Sequence, residues 1–100
     1  MTDAQNKILL EVRQIAMEVL GNQQVDLYLF GSWAKGTPAV YSDIDIAVGS
    51  PVPLPPGIFA RLRERFEESH IPYRVDVVDL NSVAPEFREK VKQQGVSWNA

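Results

Sequence analysis

One hundred residues, 45% of them hydrophobic and 23% charged, suffice for one folded domain with a single modest core, and exclude a disordered chain or two separate domains. A formal net charge of −3 excludes a protein that holds long nucleic acid by its phosphate backbone, which needs a strongly positive face; a small nucleotide suits the chain better. The lack of cysteine removes disulfides and thiolate metal ligands, no apolar run approaches the roughly 18 residues of a membrane span, and Met1 to Lys7 shows no export signal, so a cytoplasmic location is expected.

In chain order, residues 3–20 read as an amphipathic helix. Ile8, Val12, Ile15 and Val19 recur at spacings of three and four, Leu9, Ala16 and Leu20 widen the stripe, and Gly21 ends it. Residues 25–30, Val25-Asp26-Leu27-Tyr28-Leu29-Phe30, form a first strand, a short helix opens at Ser32, and residues 43–48 form a second strand. Between Ser50 and Gly57 four prolines remove N–H donors and fix φ, which makes a stiff loop. Residues 58–69 read as a second long helix with Ile58, Leu62 and Phe66 on one face and charges of both signs elsewhere. A third strand is expected over 71–78 and a last helix over 85–94, ended by Gly95. His70, the only histidine, is expected to cap the end of the second long helix rather than to bind metal. With no repeat and no linker, residues 1–100 form one domain of the α/β (α+β) class: a small mixed sheet carries acids on one face, and helices pack on the other.

The chemistry concentrates between Phe30 and Val48. In Asp43-Ile44-Asp45-Ile46 the period-two alternation sends both carboxylates to one face and both isoleucines into the core. Cβ atoms two residues apart on a strand stand about 6–7 Å apart, from where two side chains can converge on a hard divalent cation. Without a cation the pair repels, so stability alone does not account for it. Upstream, Gly31-Ser32 follows a strand, where a small-residue turn and the N–H groups of a starting helix can approach phosphate oxygens. Metal and phosphate meeting at one sheet edge point to phosphoryl or nucleotidyl transfer.

Phe30-Gly31-Ser32, a ten-residue gap and Asp43-Ile44-Asp45-Ile46 resemble the signature of the polymerase-beta-like nucleotidyltransferase superfamily. The flanking Trp33-Ala34-Lys35-Gly36 and Ser42 are most similar to its minimal nucleotidyltransferase branch. The resemblance implies that Asp43 and Asp45 hold one or two Mg²⁺ and that Asp76, in Arg74-Val75-Asp76-Val77-Val78, is the third carboxylate, serving as general base or metal ligand. It also implies that ATP is the substrate, with its phosphates on Gly31, Ser32, Lys35 and Gly36. Ser42 is counted with the nucleotide-binding set, although a turn or capping role fits it equally. Many minimal members carry Arg where Trp33 and Lys35 stand, which leaves Lys35 as the turn's basic contact. Minimal members pair with small helical HEPN-type proteins as antitoxins and attach AMP to the toxin, so the resemblance implies a partner that brings the acceptor hydroxyl.

Five points stay open in the sequence. Asp79 competes with Asp76 as the third acid, although alternation sets Asp76 in mid-strand. Trp33 could cover a base, enter the core or face a partner. Trp98 could contact a partner or cap the core, and copies of the chain could associate with one another. Two other functions compete with protein adenylylation: a binding module that neutralises its partner by contact, and transfer to a small molecule such as an aminoglycoside.

Overall fold

The computed structural model describes residues 1–21, 23–39 and 42–99. Thr2 starts helix α1 (Asp3–Leu20) by a reciprocal pair of bonds: its Oγ1 accepts from the Gln5 N–H at 3.1 Å, and Gln5 Oε1 accepts from the Thr2 N–H at 2.9 Å. The predicted stripe is the buried one, with Leu9, Val12, Ile15, Ala16, Val19 and Leu20 turned inward. Gly21 ends the helix at a φ of +49°, returning its N–H to Met17 O at 2.8 Å.

Four strands, β1 (Asp26–Phe30), β2 (Ile44–Gly49), β3 (Val75–Asp79) and β4 (Val96–Ser97), build one sheet in the order β3-β2-β1-β4. β2 runs antiparallel to β1 and parallel to β3, and β4 runs antiparallel to β1, so the sheet is mixed. The parallel pair needs a crossover, which the proline loop and helix α3 (Ile58–Glu68) supply. The end of α3 is capped by Ser69 rather than His70: the Ser69 N–H and hydroxyl both donate to Phe66 O.

One face of the sheet presents Leu27, Leu29, Ile44, Ile46, Val48 and Val77, and α1 and α3 close over it. Ile44, Ile46 and Val48 are wholly buried, and each such side chain stabilises the fold by about 1.5–3 kcal/mol. Here the architecture agrees with the expected mixed sheet and helical layer. The last helix, α4 (Pro85–Gln94), departs from it by crossing to the acid-bearing face. Val91 joins Ala47 and Leu80 in a second small core, and Phe87 meets Phe30 edge to face at 5.9 Å. The acids therefore lie beside a helix rather than on an open face.

The sequence showed no sign of β4. It extends the sheet past Gly95, where Trp98 donates its N–H to Leu27 O at 2.8 Å. Asn99 acts as a side-chain extension of the strand: Oδ1 accepts from Leu27 N at 2.6 Å and Nδ2 donates to Val25 O. Arg13 holds Trp98 O at 3.0 Å, and the Trp98 ring packs half-buried against the main core, so it caps the core. Among the described residues no helix is long and apolar enough to cross a membrane.

Candidate active site

Strand register gathers the acids. Phe30 at the end of β1 stands opposite Asp45 on β2, and Asp45 stands opposite Asp76 on β3, so the three form a row across the sheet. Ile44 and Ile46 beside Asp45, and Val75 and Val77 beside Asp76, anchor the strands by burying the opposite face. Asp43 lies one residue ahead of β2 and is exposed, as is Asp76, whereas Asp45 is half-buried. Burial, then the charge of Asp76, then that of Asp43 push the Asp45 carboxyl above its ordinary value.

The turn after β1 is fitted to Asp45. Gly31 sits at a φ of +74°, where an L side chain is strained, and a Cβ built there would fall on Oδ2 of Asp45. Glycine is thus required by both the backbone and its neighbour. Helix α2 (Gly31–Ala34) opens one residue earlier than expected and is a single turn, too short for an appreciable macrodipole. What it offers an anion is its first N–H groups, which have no intrahelical acceptors. Ser32 is half-buried and its hydroxyl bonds no described residue. Gly36 also has a φ of +74°, but its Cβ position is open, so its role is the turn itself. The Lys35 side chain is exposed beside Gly31.

Trp33 takes the core among its three possible places. It is 1% exposed, packs edge to face on Tyr73 at 4.9 Å, and donates its Nε1–H to Ser42 O at 3.2 Å. That bond ties the phosphate-type turn to the peptide just before Asp43, and sequence reasoning did not find it. Ser42 serves its own loop: Oγ accepts from the Ala39 N–H at 2.9 Å, and its N–H returns to Ala39 O at 3.1 Å. Asp79 lies off the row and caps the 3₁₀ turn Leu80–Ser82, accepting from Asn81 N and Ser82 Oγ, each at 2.9 Å.

Two cavities flank the row of acids. On the β3 side a groove of about 470 Å³ is lined by Arg63, Tyr73, Arg74 and Asp76, with Arg63 also donating to Val77 O at 3.1 Å. On the β1 side a smaller cavity of about 210 Å³ is lined by Gly31, Lys35, Phe87, Lys90 and Gln94. The α4 residues among these carry no local sequence signal, because only the packing of α4 against Phe30 brings them to the turn.

All three candidate metal ligands are hard oxygen donors, the type that Mg²⁺ takes. Among the described residues no three acidic, histidine or cysteine side chains converge closely enough to grip a metal alone. Mg²⁺ is usually bound through one or two carboxylates with substrate phosphates completing its shell.

Comparison with known proteins agrees with this geometry. Residues 13–97 match the family described as polymerase beta, nucleotidyltransferase. A relative in Haemophilus influenzae, a probable protein adenylyltransferase MntA, is 35% identical over 91 residues, covering 91% of this chain and 78% of that protein. A chain in a crystal structure of a toxin–antitoxin with AMP-PNP superposes with a TM-score of 0.67 at 30% identity, over 88% of this chain and 73% of that one. A chain in the complex of tri-AMPylated Shewanella oneidensis HEPN toxin with MNT antitoxin gives 0.68 at 27% identity, over 96% and 73%. The chain therefore belongs to the polymerase beta nucleotidyltransferase family.

Proposed function

We propose that this protein transfers AMP from ATP to a side-chain hydroxyl of a HEPN-type partner and acts as the antitoxin of that pair, in the cytoplasm. The observation that carries the reading is the row formed by Asp45 and Asp76, with Asp43 adjacent and the Gly31-Ser32 turn seated against Asp45. Relatives that bear on the choice of partner are a probable protein adenylyltransferase MntA and an MNT antitoxin in complex with a tri-AMPylated HEPN toxin.

In this reading Asp43, Asp45 and Asp76 would hold one or two Mg²⁺, which when bound neutralise the triphosphate and favour ionisation of the acceptor hydroxyl. The turn's N–H groups and the Ser32 hydroxyl orient the phosphates. A carboxylate oxygen of Asp76 accepts the proton of the acceptor hydroxyl. The hydroxyl oxygen then forms a bond to the α-phosphorus, the bond from that phosphorus to the bridging oxygen breaks, and pyrophosphate leaves with the electron pair. Trp33 ties the turn to the peptide that precedes Asp43.

The test is incubation of the wild type and of D43N/D45N with α-labelled ATP, Mg²⁺ and the HEPN protein. Label on the partner with the wild type alone is the expected result. Partner inhibition with no label under either condition would replace transfer with neutralisation by contact.

A further inference from the structure

We propose that helix α4 completes the triphosphate site: the 210 Å³ cavity beside Gly31 receives the β- and γ-phosphates of the nucleotide between Lys35 and Lys90. The inference rests on the nucleotidyl-transfer reading above and specifies which of the chain's groups hold the leaving pyrophosphate.

Lys35 follows α2, and Lys90 lies 55 residues later on α4, yet both line one small cavity whose wall includes Gly31. Among the described residues the one ion pair is Arg65 with Glu18, so neither lysine has an acidic partner there. Two cations lining one cavity match a polyanion placed between them in charge. Buried Val91 and the edge-to-face contact of Phe87 with Phe30 line the other side. Gln94 adds amide donors at the rim.

The size and chemistry of the cavity select the phosphate end of the nucleotide over the nucleoside end. About 210 Å³ is less than the roughly 300 Å³ at which sites for whole small molecules begin, so it takes part of a nucleotide. Phe30 and Phe87 meet at 84°, which spends an edge and a face on each other and leaves no parallel slot for a base. Position agrees with chemistry. Gly31 abuts Asp45, so the cavity opens at the β1 end of the row of acids, away from the β3 groove that contains Asp76. In-line displacement at the α-phosphorus needs the leaving and attacking oxygens on opposite sides. The two cavities lie at opposite ends of the row.

The test uses the purified full chain with Mg²⁺ and measures binding of ATP and of AMP by calorimetry for wild type, K90Q, K35Q and K92Q. Lys92 is also on α4 but lines a different cavity, with Arg88 and Tyr28, so K92Q controls for the general loss of positive charge. K90Q and K35Q should each raise the Kd for ATP about tenfold, equivalent to about 1.4 kcal/mol, and leave AMP binding unchanged, while K92Q leaves both unchanged. Glutamine is nearly as good a helix former as lysine, so the fold is retained. Unchanged ATP binding in K90Q, equal losses for ATP and AMP, or an equal loss in K92Q would each overturn the proposal. Failure of the wild type to bind ATP would instead overturn the function on which it rests.

Discussion

Replacing Asp45 by Asn should make the metal-free protein more stable, although it removes a residue of the proposed active site. Burial disfavours the Asp45 charge first, then Asp76 opposite it across the β2–β3 pair, then Asp43 just ahead of its strand. Directly opposed like charges cost up to about 1 kcal/mol, and partial solvent access keeps the total near that value. For a domain of this size about 1 kcal/mol corresponds to a rise of about 4–8 °C in Tm. The sign with pH follows from linkage. The folded state raises the Asp45 pKa, so it binds that proton more tightly than the unfolded chain, whose carboxyl titrates near about 3.9. Below that value both forms are protonated and wild type and D45N should have equal stability. As pH rises through the folded pKa, wild type loses the contribution and D45N does not, so the gap opens to its full size by pH 7. Thermal unfolding in EDTA, recorded for both proteins from pH 3.5 to 7, measures this difference directly. A D45N protein no more stable than wild type at pH 7, or a gap that stays constant across the range, would refute the repulsion argument.

Three other outcomes follow from contacts at the site. G31A and G36A both force alanine to a φ of +74°, at about 1–2 kcal/mol, but only G31A drives a Cβ into Asp45. In urea unfolding G31A should therefore cost more than G36A, and it should also abolish ATP binding; equal costs would remove the Asp45 contact from the account. D76N should abolish AMP transfer and, by removing the same opposed charge, raise the stability of the metal-free protein by up to about 1 kcal/mol, whereas D79A should lose about 1 kcal/mol with its 3₁₀ cap and retain transfer, as read by labelling and thermal melts. W33F should cost about 1 kcal/mol or more through the lost Nε1 bond to Ser42 O, and should slow transfer more than it weakens ATP binding, as single-turnover labelling and calorimetry would show.

What the sequence could show was local. Strand alternation at Asp43-Ile44-Asp45-Ile46 set the isoleucines inward, and the stripe from Leu9 to Leu20 marked the α1 face that is buried. The element order, the proline loop and the mixed sheet follow from signals a few residues long. What it could not show depends on distant pairings. β4 is two residues long and is held by Asn99 reaching back to Val25 and Leu27, a contact with no periodicity to announce it. The crossing of α4 to the acid face turns on Val91 meeting Ala47 and Leu80, and an amphipathic helix does not state which face of a sheet it will cover. The role of Trp33 was equally hidden, since its indole partner is a backbone carbonyl whose chemistry is the same at every residue.

The same two features that are hard to justify in the isolated fold account for each other in the complex. Asp43, Asp45 and Asp76 concentrate negative charge across β2 and β3, and Lys35 with Lys90 concentrates positive charge at the β1 end of the row. The acids repel one another at Asp45, and Gly31 stands between the two clusters, against Asp45 and lining the lysine cavity. Direct neutralisation of acids by lysines would need the side chains to meet, and among the described residues they form no ion pair. A ligand that carries cation and polyanion together, in that order along the row, relieves both clusters at once. In the proposed reading a magnesium nucleotide triphosphate would supply both, a divalent cation joined to a chain of phosphates. On the proposed function the site would be complementary in charge to the substrate with its metal, and poorly complementary to either alone.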